Sequence, residues 1–169
     1  IVLDIRNIAI RDFSEIGKLP VLRVLRMGGN ESIRNLEPFS KMKELREIHL
    51  EACPNFESLH GMPSGISQYA GFTHCPQLKS LAGIETATAL EQLDLTGCEA
   101  LQDVTALGSL SNLVQLSLVK CRQVNDISVI ESMEKLIIVM LGGSGVVSAA
   151  VEELEPVNAE IIFDFTVSG

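Results

Sequence analysis

The sequence predicts an α/β solenoid of short parallel strands, and three observations carry that expectation. First, apolar triplets recur at a near-constant interval: Leu22, Leu25 and Met27, then Leu45, Ile48 and Leu50, then Leu90, Leu93 and Leu95. Leu113, Leu116 and Leu118 continue the series, and Leu136, Val139 and Leu141 close it. A sparser copy, Ser67, Ala70 and Phe72, fills the one gap, so units start at 22, 45, 67, 90, 113 and 136, separated by 23, 22, 23, 23 and 23 residues. Second, place 9 of successive units holds Asn30, Cys53, Cys75, Cys98, Cys121 and Ser144. Third, apolar residues continue at a three-residue step through the rest of each unit. A fixed period in this range marks units that cannot bury an apolar face alone and must stack on their neighbours.

Taken in order, the first strand is expected near residues 2–5, where the Leu3/Ile5 alternation runs one residue out of step with Asn7 and Ile10. Each later unit opens with a strand whose places 4 and 6 point inward and places 3 and 5 outward, because side chains alternate along a strand. Beyond place 9, Ile33, Leu36, Phe39 and Met42 set the three-residue step. Phe56, Leu59 and Met62, and later Leu101, Val104, Leu107 and Leu110, repeat it. That step suits short 3₁₀ or irregular turns. Place 14 holds Asp12, Asn35, Ser58, Ser80, Asp103 and Asp126, short side chains able to bond their own backbone two residues on and so fix a turn. The unit around Gly65, Ile66, Ser67 and Ala70 is expected to pack least well. Residues 148–156 read as a short helix with Ser148 as N-cap, Glu152 and Glu153 near its start and Pro156 as its stop. Residues 161–167 alternate well enough for a closing strand over the last open face.

These units resemble leucine-rich repeats, with apolar residues at places 1, 4 and 6 and Asn or Cys at place 9. The resemblance covers most of the chain. It implies a right-handed horseshoe with a parallel sheet on the concave face and short 3₁₀ or irregular segments on the convex one. The segments Leu101-Gln-Asp103-Val104 and Val124-Asn-Asp126-Ile127 are similar to the subclass found in phosphatase regulators and bacterial internalins. That subclass usually carries Asn-x-Ile on a 22-residue unit, so its partners are not carried over. Residues 1–169 are expected to form a single repeat domain, with a partial first repeat at 1–21 and a C-terminal cap at about 148–167. The opening at Ile1, inside a repeat and without an initiator Met, reads as a fragment of a larger protein.

Composition narrows the function. Acids outnumber bases 22 to 13, for a net charge of −9, whereas a phosphate backbone or an anionic membrane calls for clustered Lys and Arg. Neither nucleic acid nor membrane is therefore expected as a partner. No apolar run approaches the roughly 20 residues that span a bilayer, and no charged-then-apolar leader opens the sequence. The cysteines share place 9, where the side chain turns inward to satisfy backbone groups at the end of a strand ladder. Adjacent sulfurs on a spacing of about 4.8 Å would leave cross-linking geometrically open, but pairing would distort a ladder of equivalent thiols. Asn30, Cys53, Cys75, Cys98 and Cys121 are expected to be a structural ladder of buried, reduced side chains. That favours an intracellular site, cytoplasmic or nuclear. The ladder is a row and does not converge on a metal. His49, His60 and His74 are scattered, and Gly142-Gly143-Ser144-Gly145 lacks the lysine of a phosphate loop. No catalytic residue, metal or cofactor is expected.

Recognition remains, and register names its residues. Outward places hold Arg23, Arg26 and Arg46 at the start of the arc, His49, Tyr69 and Asp94 in the middle, and Val114, Ile137, Ile138 and Met140 at the end. Contiguous apolar residues in outward slots usually mark an interface; a partner, a second copy or the terminal segment of the chain would each explain them. The expected function is a protein-binding module whose partner, another protein or the rest of its own chain, docks on the concave face. A scaffold or homodimer using the apolar end, and the ligand-sensing end of a multidomain receptor, are the alternatives.

Overall fold

In the computed structural model, which describes residues 1–152, 154 and 159–163, eight strands form one parallel sheet in strict chain order. They are β1 (Val2–Arg6), β2 (Val24–Gly28), β3 (Glu47–Glu51), β4 (Tyr69–Thr73), β5 (Gln92–Asp94), β6 (Gln115–Ser117), β7 (Ile138–Met140) and β8 (Glu160–Ile162). Neighbours pair place for place: Leu3 with Leu25, Leu25 with Ile48, Ile48 with Ala70, and Ala70 with Leu93. The first strand's step out of phase is thus real, and the shift is absorbed in the loop that follows it.

Inward columns form one continuous core. Leu95, Leu116 and Leu118 have no exposed surface, and neither do Leu36, Phe39, Leu59, Leu107 and Leu110 on the far wall. The three-residue step becomes 3₁₀ turns at Ile16–Lys18, Glu37–Phe39, Ile84–Thr86, Thr105–Ser109 and Ser128–Ser132. Place 14 sets these turns as expected: the backbone N–H groups of Ser14, Glu37, Ala82, Thr105 and Ser128 donate to Asp12, Asn35, Ser80, Asp103 and Asp126 at 2.8–3.1 Å. Ser58 instead forms a β-bridge with Ser80.

The unit expected to pack least well is closed. Ile66, fully buried, supplies the apolar bulk that Ser67 lacks, and Phe72 stacks on Phe56 with ring centroids 5.5 Å apart. The volume missing at Ala70 is made up by these larger neighbours.

A further column has no side-chain signature. Place 8 adopts left-handed φ in every unit: Asn7, Gly29, Ala52, His74, Gly97, Lys120 and Gly143, at 51–77°. The turn aims the place-8 N–H along the sheet in the units from Asn7 to Lys120. Gly29 N donates to Glu51 O, Ala52 N to Thr73 O, His74 N to Thr96 O and Gly97 N to Val119 O, at 2.7–2.9 Å.

At the C-terminal end, helix α1 (Ser148–Glu152) places Ala150, with Leu154, beside Asn125, Asp126, Ile127, Ser128 and Glu131. Ser148 is its first helical residue, and Ala150 N bonds the Val147 carbonyl, so the cap position falls on Val147 instead. Glu153, Pro156 and the 164–167 part of the expected closing strand lie outside the described residues. β8 does pair with β7, Ile161 against Val139.

Candidate functional site

Register builds two outward rows across the concave sheet. Place 3 aligns Val24, Glu47, Tyr69, Gln92, Gln115 and Ile138, and place 5 aligns Arg26, His49, Gly71, Asp94, Ser117 and Met140. Near the centre the rows meet. The Tyr69 ring lies along its own strand over Gly71, where a Cβ would stand 2.5 Å from the Tyr69 hydroxyl. Its face stacks on His49, with centroids 4.4 Å apart and planes inclined by 22°. The Tyr69 hydroxyl donates to Asp94 Oδ2 at 3.5 Å, and His49 Nε2 lies 3.2 Å from Glu47 Oε2. Burial, with the Asp94 charge beside it, pushes the Tyr69 phenol up to about 12, so it stays a donor. Asp94 Oδ1 also accepts the Thr96 N–H at 2.9 Å, and the Thr96 hydroxyl bonds that of Ser117 at 2.9 Å.

This stack divides two depressions. One, of about 300 Å³, runs from Arg6 and Arg26 past His49 and Tyr69 to Asp94; the other, of about 460 Å³, is lined by Glu47, Gln68, Glu91 and Gln92 beside the same two rings.

The three arginines named from register have different surroundings. Arg23 is exposed and Arg26 half-buried. Among the described residues the Arg26 side chain makes no hydrogen bond or ion pair. Arg46 is committed internally: its Nη1 donates to the carbonyls of Lys43 at 3.0 Å and Gly65 at 2.9 Å, tying two units together, while Nη2 lies 3.4 Å from Glu44. Register gives a side chain's direction but not its partner, so this role was not visible in the sequence. The same holds for Gly71, whose missing side chain lets Tyr69 lie flat. His74 sits at place 8, beside Gly97.

At the other end Ile137 is 55% exposed, and Val114, Ile138 and Met140 are half-buried. β8 continues the sheet beside this patch, aligning Ile162 with Met140, and the described part of α1 lies against the convex turn of the preceding unit.

Behind the concave face the place-9 ladder is fully formed. Asn30 Nδ2 donates to Ile10 O at 2.9 Å, and its Oδ1 accepts the N–H groups of Ser32 and Ile33. The Cys98 and Cys121 thiols donate back to Phe72 O at 2.9 Å and Leu95 O at 3.1 Å; Cys53 and Cys75 lie 3.6 Å from Glu51 O and Thr73 O. All four are free and buried.

No protein-family model matches the chain, and no curated protein matches it in sequence. Solved structures do match. Internalin inlF of Listeria monocytogenes aligns with a TM-score of 0.71 and 15% identity, over 95% of this chain and 46% of its own. The chain thus spans less than half of that protein. Internalin C2 of the same organism gives 0.70 and 19% over 95% of this chain and 70% of its own, and the leucine-rich-repeat domain of the type III effector XopL gives 0.53 and 17%, over 96% and 76%. At such identities the likeness is one of fold: the chain is a leucine-rich-repeat horseshoe.

Proposed function

We propose that this solenoid is a protein-binding module that takes its partner on the concave face. The supporting observation is the pre-set centre of that face, where Tyr69 is stacked on His49, laid over Gly71 and bonded to Asp94. Side chains already held in place lose little freedom when a partner docks, so more of the contact energy appears as affinity. Arg23, Arg26, Tyr69, His49 and Asp94 are the polar contacts in this reading, and Val114, Ile137, Ile138 and Met140 the apolar ones. The partner is another protein or the rest of the same chain, with residues 1–169 serving as a single repeat domain of a larger protein. Free, buried thiols favour a reducing compartment, cytoplasmic or nuclear.

Exposure of Ile137 supports a second reading, a scaffold that pairs with another copy through the apolar end. Photo-crosslinking separates these readings. A benzophenone side chain at Gln92 on the concave face should trap a partner in cells, and one at the exposed convex residue Gln102 should not. Adducts from Gln102 alone would sink the concave-face reading. A doubled mass in purified protein carrying the probe at Ile137 would favour the scaffold.

A further inference from the structure

Along place 5 the chemistry changes in a fixed order: Arg26 on β2, His49 on β3, the Tyr69 ring over Gly71 on β4, Asp94 on β5, Ser117 on β6 and Met140 on β7. We propose that the occupant of the concave face is an extended peptide lying across the strands along this row, with an acidic side chain over Arg26, a basic one over Asp94 and an apolar one over Met140. This rests on the concave-face reading and adds the partner's chemistry to it.

Charge is the first argument. The Arg26 side chain makes no hydrogen bond or ion pair among the described residues; Asp4, at the aligned position on β1, feels its charge through space without contacting it. Asp4 is held instead by Arg6, at 2.7 and 3.0 Å. Among the described residues the Asp94 carboxylate is bonded only to neutral donors, the Thr96 N–H and the Tyr69 hydroxyl. Arg26 and Asp94 therefore each present a formal charge that no opposite charge among the described residues meets in an ion pair. A half-buried charge of that kind favours a partner group of opposite sign and rejects one of like sign.

Spacing is the second. Strands lie about 4.8 Å apart, so Arg26 and Asp94, three strands apart, are separated by about 14 Å, and Asp94 and Met140, two apart, by about 10 Å. An extended chain advances about 3.3 Å per residue. The matching sequence is acid, three residues, base, two residues, apolar, read in either chain direction. Both spacings are close to whole numbers of extended residues, so one strand-like peptide can set all three side chains over the row.

The test is selection from a random 12-residue peptide display library against the purified chain. Enriched peptides should carry an acid and a base about four residues apart, with the apolar residue on the basic side. Asp94→Asn removes the charge at nearly constant shape, keeping an acceptor for the Thr96 N–H and placing an amide donor against the Tyr69 hydroxyl. It should remove the preference for the base while leaving that for the acid, and Arg26→Gln should do the reverse. Each neutral variant should weaken the best peptide about 10-fold or more, as loss of a contact-centre side chain does. No enrichment, or enrichment with charges in no fixed order or unchanged in the two variants, overturns the inference. Crosslinking from Gln92 would then still leave the concave-face reading standing, so the two can fail separately.

Discussion

Cys98 and Cys121 illustrate what register does to a single side chain. Each thiol donates into the preceding unit, and burial pushes both up to about 12. The neighbouring Cys53 thiol, with burial, moves Cys75 in the same direction. Below its ordinary 9.0 such a thiol is protonated in both states and the fold keeps its full stability; above it the unfolded chain releases a proton that the folded state still holds, which favours unfolding. Stability should therefore fall as pH rises from 9.0 towards about 12, by about 1.4 kcal/mol per pH unit for each such thiol. Urea midpoints across that range check it, and a flat profile would mean that the thiols titrate alike in both states. Under native conditions below pH 9, thiol reagents should label Cys98 and Cys121 only at the rate of unfolding. This column was legible in the sequence because its residues share a side-chain chemistry. The Tyr69–Gly71 contact was not, since nothing in either residue alone says that one lies on the other.

The strand-to-turn corner makes the same contrast at the level of an element. Places 4, 6 and 9 could be read from the chain because the core selects apolar or hydrogen-bonding side chains there. Place 8 could not, because its requirement is a backbone angle: Asn, Gly, Ala, His and Lys all occupy it. A left-handed φ costs an L-residue about 1–2 kcal/mol, and glycine gives back about 0.4–1 kcal/mol through the freer unfolded chain. Ala52→Gly should therefore raise stability by up to about 1 kcal/mol. Gly97→Ala should lower it by about 1 kcal/mol from the same balance and by more where the new Cβ, at a φ of 77°, meets His74 Cδ2 at 2.9 Å. Chemical denaturation of the two variants side by side reads both signs. A stabilised Gly97→Ala would show that the corner relaxes out of the left-handed region.

For the molecule as a whole, the period made the order and direction of the strands legible, since one unit dictates the placement of the next. Less legible were the irregularities: Ile66 entering the core in place of Ser67, and the Arg46 clamp onto Gly65. Both depend on contacts between units that differ from the average. The chain-order sheet also has a mechanical consequence. Every described strand is bonded only to its neighbours in sequence, so under tension applied at the two ends an end unit, held by a neighbour on one side only, yields before the interior. Under a slow pulling ramp the protein should lengthen as a ratchet, in steps of one unit. Each 23-residue unit would add about 75 Å of slack chain, the extended length less one strand spacing. A single rupture releasing the whole length would show instead that the units yield together. Stepwise yielding would make the horseshoe a graded shock absorber, able to lose an end under load while the Tyr69 centre stays folded.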